Sequence, residues 1–233
     1  MIVLGIETAT PQTSIALGTH EGIVASVGFA ASRAQREAVV PALDQLLSRT
    51  GLGLDQVAGI ACGLGPGLFT GLRVGVETAK SLAQVLRIPI IGIPSLDALA
   101  FSVRHTGRVI AAAIDARRGE VFSCLYRPLP GGVQRLGEFS VGPASRLAAD
   151  IEALGEDVLA VGNGAVLYRE DLAADRTEVL GYAHQHPEAA ALVELALPRF
   201  EREEHDELFD LVPIYLRKSD AELAWDRRSG ATG

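Results

Sequence analysis

The chain has 233 residues, 48% of them hydrophobic and 21% charged, with a formal net charge of −8 at pH 7. This length accommodates one large domain or two lobes of about 100 residues each, and the composition excludes wholesale disorder. The negative balance argues against a free-standing nucleic-acid binder, which needs a surplus of Lys and Arg on at least one face. Two arginine pairs, Arg33/Arg36 and Arg117/Arg118, are the candidate anion patches, solvated surface being the commoner reading of such pairs.

Met1-Ile2-Val3-Leu4-Gly5 runs straight into a strand and lacks the basic region and cleavage site of a signal peptide. The most apolar stretch, 88–101, is broken by Pro89, Pro94 and Asp97, so no membrane span is expected and a cytoplasmic location is. Cys62 and Cys124 each sit in an apolar run and read as small buried hydrophobes of a reducing compartment.

Ile2–Ile6 is a buried strand, followed by turn chemistry from Glu7 to Gln12 and further strands at 14–18 and 23–29. A helix is predicted from Ser32 as N-cap, with Gln35 closing a capping box and Val39, Leu43, Leu46 and Leu47 at helical spacing through Arg49. Pro41 inside that pattern predicts a kink or a late start. A strand over 57–62 empties into Gly65-Pro66-Gly67-Leu68-Phe69-Thr70-Gly71-Leu72-Arg73, after which Thr70 is expected to cap a helix reaching Leu86. A strand over 89–93 and a short helix over 95–103 complete a first lobe, 1–105.

The second half repeats the plan. A strand over 108–114 ends in Asp115, a turn follows through Arg117-Arg118-Gly119, and a strand runs over 120–126. Val158–Val161 then ends in Gly162-Asn163-Gly164, as 57–62 ends in Gly63-Leu64-Gly65. Two echoes in one order suggest an internal duplication, with Glu7 and Asp115 facing one cleft from opposite walls. The second lobe is placed at 106–205, with a helix over 187–200 carrying Ala191, Leu192, Leu195 and Ala196 on one face. Glu201–Glu207 is a charge run, 212–217 is extended, and the segment 206–233 is expected to pack back on the first lobe with a frayed tail after Trp225.

The glycine loop is the most specific local signal. Gly65, Pro66, Gly67 and Gly71 around Phe69-Thr70 suit a tight strand-to-helix turn, and the helix N-terminus behind it offers free N–H groups. The P-loop spacing is missing, so a phosphate cradle and a purely structural turn both stand. Phe69 reads as core or interface, and Arg73 as a partner for a neighbouring carboxylate. Gly71, Gly75, Ala79 and Ala83 recur every four residues as a stripe of small side chains. That stripe fits either close packing on the lobe's own sheet or a helix offered to a partner.

Catalytic patterns are sparse. None of the five histidines forms H-E-x-x-H, His184-Gln185-His186 is a weak metal candidate, and there is no G-x-S-x-G nucleophile elbow. Glu7 and Asp115 are the carboxylates placed like cleft residues; acid–base or magnesium work and simple bonding to the turn that follows are both open to them.

Ile6-Glu7-Thr8-Ala9-Thr10 with Ser14–Leu17, the block Gly65–Arg73, Ala79-Lys80-Ser81-Leu82-Ala83, Asp115–Val121 and Pro213–Arg217 with Asp220-Ala221-Glu222 together resemble the TsaB (YeaZ) family. The resemblance runs in order from residue 2 to 222. It implies a two-lobed α/β fold of the actin-like ATPase (ASKHA, RNase H-like) kind with duplicated lobes. It also implies a non-catalytic subunit that activates TsaD, the paralogue that transfers threonylcarbamoyl to the tRNA adenosine 3′ of the anticodon, with TsaE as a third component and a homodimer when alone. No cofactor or metal of its own is implied, ATP or ADP belonging to the complex, and tRNA is met only through that complex.

On this basis Arg33, Arg36, Val40, Leu43, Leu47, Leu72, Gly75, Val76, Ala79 and Ala83 are expected to meet the partner, while Glu7, Thr8, Asp115, Gly162 and Gly164 are the candidate cleft or nucleotide residues. Family members usually carry Asp at position 7 and Ser at position 68, where this chain has Glu7 and Leu68. The helix that holds the metal-binding histidine pair in TsaD has no histidine here. The alternative kept open is an enzyme on the same fold: an acyl or phosphoryl transferase or a peptidase.

Overall fold

The computed structural model describes residues 1–30 and 35–217, with side chains described outside 35–38. It is built on two sheets. In the first, β1 (Ile2–Glu7), β2 (Gln12–Thr19) and β3 (Gly22–Ala30) form an antiparallel meander. β4 (Val57–Gly63) and β5 (Ile90–Ile93) add in parallel on the other side of β1, giving the order β3-β2-β1-β4-β5. The second sheet repeats this pattern with β6 (Val109–Arg117), β7 (Glu120–Leu129), β8 (Gly132–Arg135), β10 (Val158–Val161) and β11 (Thr177–Val179), in the order β8-β7-β6-β10-β11. A further strand, β9 (Ser140–Pro143), pairs with β7. The duplication expected from two weak sequence echoes is thus a repeat of strand order and direction.

Burial follows position in each sheet. The central strands β1, β4 and β6 are covered on both faces and read as continuous apolar runs, whereas edge strand β3 alternates between exposed and half-buried residues. Helices α1 (Gln35–Thr50) and α2 (Phe69–Leu86) cover the outer face of the first sheet. α4 (Ala144–Leu154) and α6 (Arg169–Leu172), with short α5 (Asn163–Leu167), cover the outer face of the second. Between the sheets lie α3 (Ser95–Ser102) and α7 (Ala189–Glu201).

Several boundaries differ from those read in the sequence. The expected Ser32 cap lies outside the described residues, and α1 runs through Pro41 unbroken. α2 starts at Phe69 behind Leu68, with no side-chain cap, so Thr70 is a first-turn residue and not the N-cap. Nothing was assigned between Tyr126 and Val158, yet α4 lies there, burying Ala144, Leu147 and Ile151 at helical spacing and ending at Gly155 with φ +64°. α7, placed with the second lobe from its position in the chain, packs on the first sheet through Ala189, Leu192, Val193 and Ala196. Tertiary packing decides that assignment, because an apolar stripe does not specify which sheet it covers.

Candidate functional site

β1 and β4 run in parallel, so the end of β1 at Glu7 and the glycine loop after β4 meet at one edge of the first sheet. Leu68 N donates to Ala9 O at 2.7 Å, and the Gly65–Pro66 peptide is cis. Gly65 has φ +88°, a conformation that side chains rarely adopt. A Cβ on Gly67 would lie 2.2 Å from Ala9 O, so glycine is what lets the loop close over the β1 end.

Glu7 lies beneath this loop, 0% exposed. Its Oε1 accepts from Ala9 N at 2.7 Å and its Oε2 from Ser95 Oγ at 2.8 Å. Ser95, the first residue of α3, also clips Gly65: Gly65 N donates to Ser95 Oγ at 3.1 Å, and Ser95 N donates to Gly65 O at 2.7 Å. A Cβ on Gly63 would meet Glu7 Oε2 at 2.2 Å. Burial pushes the Glu7 carboxyl up to about 7, partly offset by the bonds from Ala9 and Ser95. The expectation that Glu7 faces a cleft is therefore corrected: it joins β1, the glycine loop and α3 from inside. Thr8 is corrected likewise. It is buried, and its Oγ1 donates to Gly71 O at 2.8 Å.

The second sheet has the corresponding residue in Asp115, 8% exposed. Its Oδ1 accepts from Arg117 N at 2.8 Å, the same bond to the residue two positions on that Glu7 makes, and its Oδ2 lies 3.7 Å from Arg117 Nη1. Asn163 Oδ1 accepts from Asp115 N at 3.1 Å. Gly162 and Gly164, taken as nucleotide candidates, are buried against the end of β6: their added Cβ atoms would lie 2.0 and 3.0 Å from Ala113 O. Both are close-approach glycines. Of the two readings left open for Glu7 and Asp115, bonding to the following turn is the one the geometry carries.

The partner-facing set divides. Gly71, Leu72, Gly75, Val76, Ala79 and Ala83 are buried in the single chain. A Cβ on Gly75 would lie 2.1 Å from Thr8 Oγ1, so the stripe of small residues is the inner face of α2, pressed on β1 and β4. Leu43 is buried and Leu47 half-buried on the inner side of α1, while Val40 is 63% exposed. Leu72, Gly75, Val76, Ala79, Ala83 and Leu43 are therefore corrected from docking residues to core. Arg33 lies outside the described residues, as does the side chain of Arg36.

Among the described residues no carboxylate pairs with Arg73. Its guanidinium lies 4.1 Å from the Phe69 ring centroid, and its Nε donates to Tyr215 Oη at 3.3 Å. Tyr215 packs on Phe69 with centroids 4.9 Å apart. Between this group and the turn at Ala116 and Arg117 lies a cavity of about 110 Å³. Ser95, Asn163 and Tyr215 were missed as site residues. Asn163 and Tyr215 each stood in a motif that drew attention and Ser95 did not, and the partners of all three come from distant sequence. No group of three or more His, Cys, Asp or Glu side chains able to hold a metal exists among the described residues. His186, half of the weak metal candidate, has its imidazole pulled below the ordinary value by burial.

The sequence model of the family described as TsaD, tRNA N6-adenosine threonylcarbamoyltransferase, matches residues 13–225. The chain is 33% identical over 232 residues to tRNA threonylcarbamoyladenosine biosynthesis protein TsaB of Bacillus subtilis, covering 97% of this chain and 98% of that one. YeaZ from Pseudomonas aeruginosa superposes with a TM-score of 0.80 at 31% identity, covering 92% of this chain and 99% of that one. The activator of 2-hydroxyisocaproyl-CoA dehydratase from Clostridium difficile, at 12% identity and a TM-score of 0.52 over 87% of this chain and 95% of that one, shares the fold alone. The doubled β3-β2-β1-β4-β5 sheet is the two-lobed actin-like ATPase architecture. With a glycine loop closed over the end of β1 and likeness along nearly its whole length, the chain belongs to the TsaB (YeaZ) family.

Proposed function

We propose that this chain is the non-catalytic subunit that works with a TsaD-type transferase and a TsaE-type ATPase in forming N6-threonylcarbamoyladenosine on the tRNA adenosine 3′ of the anticodon. The likeness to TsaB supplies the pathway. The observation that carries the subunit role is the state of Glu7: its two carboxylate oxygens are engaged by Ala9 N and Ser95 Oγ in a fully buried position. A base held there cannot reach a substrate without opening the glycine loop. Any ATP or ADP is then held by the complex.

The face offered to TsaD is the outer side of α1 and α2. Val40 and Val85 stand out there, 63% and 80% exposed, with Thr70, Glu77 and Ser81 also on the solvent side of α2. Burying an exposed valine at an interface stabilises association by up to about 1.5–3 kcal/mol, so Val85→Asp should reduce co-elution with TsaD at least tenfold while leaving the fold intact. Gly75→Leu cannot serve as this probe, because its side chain would collide with Thr8, just past the end of β1. The same outer face would serve the homodimer.

Reconstituted threonylcarbamoylation of tRNA tests the proposal. The full set of components should form product, and omitting this chain should abolish it. Product formed by this chain alone from tRNA, ATP and threonylcarbamoyl-adenylate would overturn the subunit role, as would an unchanged rate on its omission.

A further inference from the structure

The segment from Leu208 to Arg217 leaves the first lobe and ends on the second. Leu208 and Leu211 pack into the outer core of the first sheet, and Lys80 Nζ donates to Leu211 O at 3.1 Å. Ile214 N donates to Leu64 O at 2.8 Å, at the entry to the glycine loop. Tyr215 then stacks on Phe69 and accepts from Arg73, one turn apart at the N-terminal end of α2. Within two more residues the chain has changed lobes. Leu216 packs against the core of the second sheet, and Arg217 Nη1 donates to Glu120 Oε2 at 2.9 Å, at the start of β7. Behind the segment lies the cavity of about 110 Å³, walled by Gly67–Phe69 on one side and Ala116, Arg117 and Phe122 on the other.

We propose that residues 211–217 are an interlobe latch that fixes the angle between the two sheets by bridging the glycine loop to the β6–β7 turn. Three kinds of contact converge on it: a backbone bond to one lobe, an aromatic–guanidinium stack on that lobe, and apolar burial with an ion pair on the other. The Arg217–Glu120 pair is partly shielded, with side chains 24% and 35% exposed, so it holds geometry better than a fully solvated pair. In consequence the second lobe follows the first, and a partner gripping α2 would also position the β6–β7 turn; that consequence alone rests on the docking face proposed above.

Hydrogen–deuterium exchange on the free full-length chain tests the latch without any partner, so its failure is separable from failure of the docking face. Arg217→Glu places like charges at the second-lobe end and should speed exchange about tenfold in both 64–70 and 116–121. The reciprocal pair Arg217→Glu with Glu120→Arg should restore protection, which nonspecific loosening would not allow. Leu216→Ser removes the apolar anchor and should give the same pattern as Arg217→Glu. Faster exchange confined to 211–217, faster exchange in only one of the two loops, or no recovery in the charge-swapped chain would overturn the latch.

Discussion

The ends of β1 and β6 are the same device in two settings. At or near the end of each strand a carboxylate accepts from the backbone N–H two residues on, in sheets of matching strand order. In the first lobe that carboxylate is covered by the glycine loop and α3, and burial raises its proton affinity. In the second it is less completely covered, 8% exposed, beside a two-residue turn at Arg118-Gly119 with φ +60° and +82°. The hydrogen bond is shared; what differs is whether a second segment closes over it. Strand order is repeated between the lobes, but the depth of burial depends on the segment that covers each strand end.

The comparison is broken most strongly at the loop. Gly67→Ala sets a Cβ against the backbone of Ala9 and should cost about 4 kcal/mol in urea unfolding, above the usual overpacking range because the obstacle cannot rotate away. Gly119→Ala meets open space and should cost about 1 kcal/mol, from its positive φ alone. Equal costs would mean that the loop yields as freely as the exposed turn.

A smaller effect separates the lobes by pH. Below about pH 4.5 Glu7 is protonated in folded and unfolded chains alike. Between there and about pH 7 the unfolded chain releases a proton that the folded chain keeps, so stability should fall as pH rises, by about 3 kcal/mol in total. Urea titrations at pH 5 and pH 8 should show this fall in the natural chain and a much flatter response in Glu7→Gln. An identical slope in both would show that Glu7 is not the buried titrating group.

Next in size, Ser95→Ala removes both a donor to Glu7 and an acceptor for Gly65 N, and should cost about 2 kcal/mol. Its counterpart in the second lobe, Asn163→Ala, frees only Asp115 N at a partly exposed site and should cost about 1 kcal/mol. Thermal unfolding of the two variants ranks them, and a reversed order would place the more tightly bound strand end in the second lobe.

The positions of the central strands were largely legible, because buried parallel strands are continuous apolar runs bounded by Gly, Pro and Asp, whereas β8, β9 and β11 and the order of strands in each sheet were not. The site was legible as a motif but not as a contact map. The spacing of Gly71, Gly75, Ala79 and Ala83 announced close packing without saying against what, and the answer is Thr8 and the first sheet. The partners of Ser95 and Tyr215 are 88 and 142 residues away in the chain, beyond any local pattern.

What the sequence by itself determined is the doubled α/β plan, the family and the positions where only glycine fits, because periodicity, turn chemistry and motif spacing are local properties of the chain. Tertiary structure alone decided that Glu7 and the small-residue stripe face inward, that α7 crosses to the other sheet, and that the C-terminal segment joins the lobes. Burial and long-range pairing depend on which distant surface arrives at each residue, and a linear sequence specifies that only through the completed fold.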